Sequence, residues 1–337
     1  MRGIVVSDHG WDERTDLLVP EPAPDEVIVE VRAAALNHAD LDELTGEYRS
    51  DQRRADRPPV AGSDLAGVVT RVGRTVTGVR PGDRVMAMTE GAFAEYVAVD
   101  HRVVVPVPGE LDWAEAAALP SACMTEYDAL IDQGGLVAGQ SVLITAGSSG
   151  VGLVAIDIAR WAGAEPVLAT TTSAAKQDLL ADRGALSVNT ASDDLVAQVL
   201  RATGGTGADL VIDHVGGDLL DDLVAATRIG ATIIQVGRLA GRRAALDLDR
   251  LAYRRVHLVG TTFRTRGTAH RAAIATGLRT RLLPAIASRR IRAHVHRVFS
   301  FDQARTALDL LRSGRPAGKV VLSCDRAAIV HNGTEFR

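Results

Sequence analysis

The chain has 337 residues, of which 46% are hydrophobic, 24% are charged and 4% are aromatic, and its formal net charge is −4. This composition is too apolar for a disordered chain, and it lacks the glycine period of collagen. The slightly acidic balance provides no overall basic field, so we expect neither a nucleic-acid partner nor a membrane partner. At about 150 residues per domain, the length indicates two domains.

The cysteines and the apolar segments bear on the cellular compartment. Cys123 and Cys324 are far apart in the sequence and cannot form a disulfide framework or a cysteine-rich zinc site. The first residues contain no apolar stretch of signal-peptide length. No segment approaches the roughly 18 consecutive apolar residues that span a bilayer. We therefore expect a cytoplasmic protein.

The first third of the chain has the pattern of β structure. Short apolar, β-branched runs are separated by turn residues, and the expected strands are 26–31, 64–72 and 83–88. Several short strands of this kind predict a small antiparallel barrel or sandwich. A helical segment is expected to begin near Asp112 and to resume after Pro120 as far as residue 131.

From residue 141 onward, short apolar strands alternate with single helices. The expected strands are 142–144, 166–169, 186–188, 209–213 and 231–236, with helices at 153–161, 174–183, 193–202 and 219–227. Strands that alternate with helices form parallel βαβ units with right-handed crossovers, so this region predicts a doubly wound parallel sheet. Beyond it we expect a strand at 257–260, helices near 268–287 and 301–311, a last strand at 319–322 and a polar tail.

A glycine-rich turn joins the first strand of this region to its helix. Only small side chains precede the helix, in the run Ala146, Gly147, Ser148, Ser149, Gly150, Val151 and Gly152. A dinucleotide site needs such a turn, because the backbone approaches the pyrophosphate closely and the helix N-terminus faces the anion. The spacing differs from G-x-G-x-x-G, and the alternative is a glycine-rich turn without a ligand.

The end of the second strand bears on the choice of cofactor. An Asp or Glu usually binds a free ribose 2′-hydroxyl at this point, but the chain has Thr171, Thr172 and Ser173, followed by Lys176. Hydroxyls and a cation suit a 2′-phosphate, which favours NADPH over NADH. The alternative is that these hydroxyls cap a helix, and the two roles are compatible.

Several motifs resemble those of the medium-chain dehydrogenase/reductase superfamily, in its zinc-free quinone oxidoreductase branch. They are segments 35–40 (ALNHAD), 62–69 (GSDLAGVV), 79–85 (VRPGDRV), 91–97 (GAFAEYV), 146–152 (AGSSGVG), 213–217 (DHVGG) and 318–322 (GKVVL). Segments 35–48 and 261–266 look most like the p53-inducible quinone oxidoreductase group. The resemblance implies a GroES-like β-barrel domain at 1–122 and 257–337 and a Rossmann domain at 123–256. The active-site cleft is then expected between them.

The resemblance also bears on metal binding. Zinc members of the superfamily carry a Cys at the position of Asn37 and Gly-His-Glu at the positions of Gly62, Ser63 and Asp64. Zinc prefers thiolate and imidazole ligands, so Asn, Ser and Asp form a poor zinc site. We therefore expect no metal.

The resemblance assigns roles to further residues. It implies that Asn37, Asp40 and Tyr48 surround the nicotinamide and the substrate. It places Thr125, Val236, Gly237 and Lys319 among the cofactor-binding residues. The alternatives are that Tyr48 packs in the interior and that Asp40 caps a helix. His38 borders this region and is a candidate proton donor, although a loop histidine that faces away is the simpler interpretation.

The function implied is an NADPH-dependent, zinc-independent reductase of quinones or other α,β-unsaturated carbonyl compounds, acting by hydride transfer. One alternative is a pathway-specific enoyl reductase of secondary metabolism. Another is a non-catalytic NADPH-binding redox sensor. The resemblance also implies a homodimer, with the strand expected at 231–236 as a possible edge contact.

Overall fold

The computed structural model describes residues 1–7, 10–44, 59–109 and 111–324. The strands are β1 (Gly3–Ser7), β2 (Gly10–Arg14), β3 (Glu26–Ala35), β4 (Asp64–Val72), β5 (Arg84–Met88), β6 (Tyr96–Asp100), β7 (Val105–Pro106), β8 (Val142–Ile144), β9 (Val167–Thr171), β10 (Leu186–Asn189), β11 (Ala208–Asp213), β12 (Thr227–Gln235), β13 (His257–Gly260), β14 (Val295–Ser300) and β15 (Lys319–Ser323).

The α-helices are α1 (His38–Leu44), α2 (Trp113–Ala117), α3 (Pro120–Glu126), α4 (Gly150–Trp161), α5 (Gln177–Asp182), α6 (Leu195–Ala202), α7 (Leu219–Ala226), α8 (Leu248–Arg254), α9 (Thr268–Gly277), α10 (Leu283–Ala287) and α11 (Ala304–Arg312). Two π-helical segments, Tyr127–Gln133 and Leu278–Leu282, continue α3 and α9. Within the described residues, no helix is long and apolar enough to cross a bilayer.

The described residues divide into two compact units. The first contains Met1–Met124 and the chain from Phe263 to the last described residue, Cys324. Its main sheet has the order β14-β15-β3-β4-β5-β7, and β6 also pairs with β3. The ladders of β3 with β4, β6 and β15 are antiparallel, which confirms the β-rich first third. Both faces of β3 are covered, since Val27, Ile28 and Val29 are all fully buried.

The second unit is Thr125–Thr262. Its described strands form one sheet in the order β10-β9-β8-β11-β12-β13, and every pairing is parallel. Counted from the first strand of the unit, this is the order 3-2-1-4-5-6 of the Rossmann fold. The predicted doubly wound parallel sheet is therefore confirmed. Its strand order reverses at β8, between β9 and β11, which is where such sheets bind ligands at the carboxyl ends of their strands.

One prediction about this sheet is wrong. The sequence predicts that the strand at 231–236 forms an edge of the sheet, but these residues lie at the end of β12, which pairs with β11 on one side and β13 on the other. The edge is β13, because the short apolar run at 257–260 adds a sixth parallel strand. A contact between sheet edges on this side would therefore involve β13 rather than β12.

Candidate active site

Three neighbouring strands of the first unit bring a polar cluster together. Ala35, at the end of β3, lies opposite Asp64 of β4 and opposite Val321 of β15. The ladder continues one step further, because the Leu36 N–H donates to the Val320 carbonyl over 2.9 Å. Asn37, Ser63, Asp64 and Lys319 consequently lie side by side at one end of these strands.

Lys319 is the cation of this polar cluster. Its ammonium Nζ lies 2.6 Å from Asn37 Oδ1 and 2.9 Å from Asp64 Oδ2. Asp64 Oδ1 accepts the backbone N–H of Ser121 over 2.7 Å. Asp64 is 0% exposed and Lys319 is 4% exposed, so the two form a buried ion pair.

Two glycines in left-handed conformations lead the chain into the polar cluster. Gly62 has φ +93°, and a Cβ atom there would lie 2.3 Å from the Phe93 ring. Gly318 has φ +87°, and its Cβ would lie 2.2 Å from the His294 carbonyl oxygen. Only glycine adopts these conformations readily and also fits the available space. The residues that follow, Ser63 and Lys319, are thereby held in place.

Asp40 lies in the first turn of α1 and is 2% exposed. Its Oδ2 accepts the backbone N–H of Asn37 over 2.7 Å, which is the bond that a helix-capping side chain makes. Burial raises the pKa of Asp40 to about 8, although the hydrogen bond from Asn37 opposes the shift. The structure thus supports the capping alternative for Asp40 and also gives it a proton at neutral pH. His38 is exposed at the start of α1, and Tyr48 lies outside the described residues.

In the second unit, the glycine-rich turn lies between β8 and α4. Ser149 caps α4, because its Oγ accepts the Gly152 N–H over 3.0 Å. A Cβ at Gly147 would lie 2.7 Å from the Ala169 Cβ, and one at Gly152 would lie 2.4 Å from the Ala146 carbonyl oxygen. The turn is therefore packed too closely for side chains at these two glycines. Gly150 and Val151 occupy the first turn of α4, whose N–H groups have no preceding helical turn to bond.

The end of β9 is tied to this turn. Thr170 accepts two hydrogen bonds from it: its hydroxyl from the Ala146 N–H over 3.1 Å, and its carbonyl from the Gly147 N–H over 2.7 Å. Thr171 Oγ1 lies 3.5 Å from Ser148 Oγ. The turn and the Thr171 hydroxyl are therefore adjacent, as a site for an adenosine ribose beside a pyrophosphate requires.

The remaining residues that the sequence predicts to bind a 2′-phosphate lie directly after β9. Thr172 is exposed, Ser173 is half-buried, and Lys176 is half-buried with its pKa lowered by burial. The Ser173 hydroxyl makes no capping bond to the helical turn that it precedes. Thr171 Oγ1 accepts the Ser173 N–H over 3.2 Å instead.

The carboxyl ends of β11 and β12 are also closely packed. The N–H groups of Val236 and Gly237 both donate to the Asp213 carbonyl, over 2.8 and 3.0 Å. A Cβ at Gly237 would lie 2.2 Å from the His214 carbonyl oxygen. These residues lie at the carboxyl ends of β11 and β12, so they belong to the ligand-binding edge of the sheet.

A buried pair at this edge was not predicted from the sequence. His214 Nδ1 lies 2.8 Å from the Thr145 carbonyl, and Nε2 lies 2.8 Å from Glu126 Oε1. The Thr145 carbonyl can only accept, so Nδ1 carries a proton, and the charge and hydrogen bond of Glu126 favour a second proton at Nε2. Burial alone lowers the pKa of His214, but the charge and hydrogen bond of Glu126 offset this effect, and the pKa is raised. Glu126 follows Thr125, the predicted cofactor-binding residue, which is half-buried near the end of α3.

One sequence signal marks the buried ionisable residues of both units, whose pairing was not predicted. Asp64, Glu126, His214 and Lys319 are ionisable residues within or beside segments that are otherwise apolar and buried. An ionisable side chain at such a position is rarely buried without a partner. The sequence shows which residues need partners but not which residues they pair with, because Asp64 and Lys319 are 255 residues apart.

Two family models match the chain. The model described as "Alcohol dehydrogenase GroES-like domain" matches residues 23–109, and the model described as "Zinc-binding dehydrogenase" matches residues 150–277. In the part of the chain that the structure describes, no group of three or more His, Cys, Asp or Glu side chains is arranged to hold a metal ion.

Individual relatives extend the similarity over most of the chain. The "Probable quinone oxidoreductase" of Schizosaccharomyces pombe is 30% identical over 309 residues, which are 91% of this chain and 91% of that protein. The "Spectinabilin polyketide synthase system protein NorB" of Streptomyces orinoci is 34% identical over 304 residues, which are 89% of this chain. The match covers only 13% of that synthase protein.

Among solved structures, an alcohol dehydrogenase superfamily protein from Novosphingobium aromaticivorans has a TM-score of 0.84 at 28% identity. The match covers 96% of this chain and 99% of that one. The predicted GroES-like and Rossmann folds are therefore confirmed. The chain belongs to the medium-chain dehydrogenase/reductase superfamily of oxidoreductases, in its quinone oxidoreductase-like branch.

Proposed function

We propose that the protein reduces quinones or other α,β-unsaturated carbonyl compounds with NADPH and without zinc. The observation that carries this proposal is the Lys319 ammonium, which lies between Asn37 Oδ1 and Asp64 Oδ2. Zinc members of the superfamily place metal-binding residues at the positions of Asn37, Ser63 and Asp64. A buried cation already satisfies these groups here, so they do not fit a zinc ion.

The second unit fits a nicotinamide cofactor. We propose that the turn from Ala146 to Gly152 holds the pyrophosphate, since Gly147 and Gly152 leave the backbone bare and α4 begins at Gly150. We propose that Thr125, Val236 and Gly237 complete the cofactor site.

We further propose that Thr171, Thr172, Ser173 and Lys176 recognise a 2′-phosphate. No carboxylate stands at the end of β9 to bind a free 2′-hydroxyl, whereas Lys176 supplies a positive charge five residues after Thr171. This composition favours NADPH as the cofactor.

A bound nicotinamide cofactor supplies the hydride. The protein therefore has to bind and orient the cofactor and the substrate and to supply a proton. We propose that Asn37 and Asp40 take part in binding the nicotinamide or the substrate, together with Tyr48. Asp40 is a protonated carboxyl group at neutral pH, because burial raises its pKa to about 8. It is therefore a candidate source of the proton that completes the reduction.

The relatives suggest two substrate classes. One of the relatives is named as a quinone oxidoreductase, and another belongs to a polyketide synthase system. The first favours small quinones and enones, and the second favours an acyl thioester of the kind that an enoyl reductase accepts. We propose small quinones and enones as the principal class, because that relative matches along nearly its whole length.

We also propose that the protein forms a homodimer through the β13 edge. Leu258 is 43% exposed on this strand, and Tyr253 and Leu248 of the preceding helix are 73% and 71% exposed. An edge strand has unpaired backbone groups, and an apolar neighbourhood favours its pairing with a second copy.

The test of the proposed function is a panel of acceptors with the purified protein. NADPH oxidation is followed at 340 nm with a quinone, a short enone and an acyl thioester. We expect turnover with the quinone or the enone. Turnover with the thioester alone would favour the enoyl reductase alternative. NADPH binding by calorimetry without turnover on any acceptor would favour the redox sensor and contradict the proposal.

A further inference from the structure

We propose that Lys319 and Asp64 are positioning residues that hold the Asn37 amide in one orientation, so that Asn37 offers a bound molecule an acceptor and no donor. The proposal rests on the proposed function for its assay and for placing Asn37 beside the bound molecule. Its argument uses the hydrogen bonds of the polar cluster formed by Asn37, Ser63, Asp64 and Lys319.

The orientation of the amide follows from the chemistry of its neighbours. A lysine ammonium can only donate, so the amide atom 2.6 Å from Lys319 Nζ must be the oxygen. The other amide atom lies 2.9 Å from Asp64 Oδ2, which also accepts a hydrogen bond from the Lys319 ammonium, so this oxygen is an acceptor and the amide atom beside it is the nitrogen. A flipped amide would place two acceptors together at Asp64 and two donors together at Lys319.

Both N–H bonds of the amide are used within the polar cluster. The nitrogen donates to Asp64 Oδ2 and also to Ser63 Oγ, which lies 3.1 Å away. The oxygen has two lone pairs, and Lys319 engages one of them. The half-buried Asn37 side chain can therefore accept one further hydrogen bond but has no further N–H to donate.

This hydrogen-bond polarity determines which ligand group suits Asn37. A carbonyl oxygen, which only accepts, finds no donor in this amide. A neutral O–H or N–H group finds a well-placed acceptor. We therefore assign Asn37 to a donor group of the bound molecule, either an amide N–H or a hydroxyl, and not to the carbonyl oxygen of the substrate.

The ion pair is required for this arrangement. If Lys319 loses its ammonium, the carboxylate of Asp64 stays buried without a counter-charge, and the Asn37 oxygen loses the donor that fixes it. If both charges are removed together, no buried charge remains unpaired. Substitution at either site alone should therefore be more harmful than substitution at both sites.

The experiment measures the dissociation constant of NADPH and, separately, kcat and KM for the acceptor found in the panel. We expect Lys319→Ala and Asn37→Ala each to weaken NADPH binding or to lower kcat/KM about tenfold. A change of that size corresponds to the loss of one hydrogen bond to a charged or well-oriented group. Val320→Ala is the matched control, because Val320 is fully buried next to Lys319 but contributes no polar side chain. It should lower the melting temperature and leave the dissociation constant of NADPH and kcat/KM unchanged.

Chemical rescue separates positioning from general destabilisation. Ethylammonium at tens of millimolar should restore a measurable part of the lost affinity or activity to Lys319→Ala, and it should have no effect on Val320→Ala. The double variant Asp64→Asn with Lys319→Met should fold and melt at a higher temperature than either single variant. Wild-type constants in Lys319→Ala, an absence of rescue, or additive losses in the double variant would each overturn the proposal.

A cofactor analogue identifies the donor group. In 3-acetylpyridine adenine dinucleotide phosphate an acetyl group replaces the carboxamide and removes its N–H bonds. A loss in Asn37→Ala that is confined to NADPH would assign the carboxamide, and a loss with both cofactors would assign a hydroxyl. A loss confined to the KM of the carbonyl acceptor would overturn the assignment. If wild-type protein fails to turn over, the proposed function fails, while NADPH binding still tests this inference.

Discussion

The buried pair of Glu126 and His214 leads to a prediction about stability and its pH dependence. Glu126→Ala removes the carboxylate that His214 Nε2 contacts at 2.8 Å, in a site where Glu126 is 0% and His214 is 5% exposed. At pH 6 the variant must bury an imidazolium without its counter-charge or lose the proton. Removing one partner of a buried ion pair costs about 3–5 kcal/mol, so we expect that loss in the free energy of unfolding.

The pH dependence follows from the direction of the pKa shift. In the wild type, burial lowers the pKa of His214, but the charge and hydrogen bond of Glu126, the hydrogen bond with the Thr145 carbonyl and the charge of Asp213 together raise it above that of the unfolded chain. Its stabilising effect is complete below the unfolded value of about 6.5 and is lost as the pH rises through the folded pKa. In Glu126→Ala burial is the largest remaining influence and lowers the pKa. The difference between the two proteins should therefore shrink as the pH rises, by about 1.4 kcal/mol for each unit of pKa difference.

The assay is urea unfolding of both proteins at pH 6 and pH 9. The slope of the unfolding free energy against urea concentration should be the same for both proteins, which shows that the variant changes stability and not the surface exposed on unfolding. Glu126→Gln is the matched control. Its amide can donate to a neutral imidazole, so we expect a loss on the order of 1 kcal/mol. Asp213, the other charged residue beside His214, is retained in every variant. An equal destabilisation of Glu126→Ala at both pH values would refute the claim that His214 carries a charge.

Three further predictions concern the second unit. Gly152→Ala places a Cβ atom 2.4 Å from the Ala146 carbonyl oxygen, so it should weaken NADPH binding at least about tenfold, as measured by calorimetry. Gly260→Ala is the control and should leave NADPH binding unchanged, because its Cβ atom would meet no atom within 4 Å. Lys176→Ala should raise the KM for NADPH much more than that for NADH, and equal effects would contradict a 2′-phosphate site. Leu258→Lys on the β13 edge should yield a monomer by light scattering, whereas Leu186→Lys on the opposite edge strand should leave the dimer intact.

The sequence predicted the parallel sheet well because its strands are short apolar runs separated by amphipathic helices. The expected strand at 142–144 matches β8, and the helix expected at 153–161 begins three residues earlier, at Gly150. That difference arises because Ser149 caps the helix directly after the turn, so the glycines themselves form the first turn of α4. The strand at 257–260 is predicted correctly, but its four residues carry no pattern that shows it pairing with β12, so its place at the edge of the parallel sheet is not predicted.

The polar contacts were much less predictable. Lys319 was assigned to the cofactor by resemblance alone, and the structure shows its ammonium bonded to Asn37 and Asp64. That contact depends on β15 pairing with β3, a ladder between residues nearly three hundred positions apart. The glycine-rich turn could be predicted because its chemistry is local. The ion pairs Asp64–Lys319 and Glu126–His214 could not, because tertiary pairing alone brings their members together.

The central claim is that the protein transfers hydride from NADPH to a quinone or an enone without a metal. The most direct test is NADPH oxidation by protein that has been treated with a strong chelator, with its metal content measured on the same sample. We predict that turnover persists at the untreated rate with far less than one zinc per chain. Activity that disappears on chelation and returns with added zinc would contradict the account.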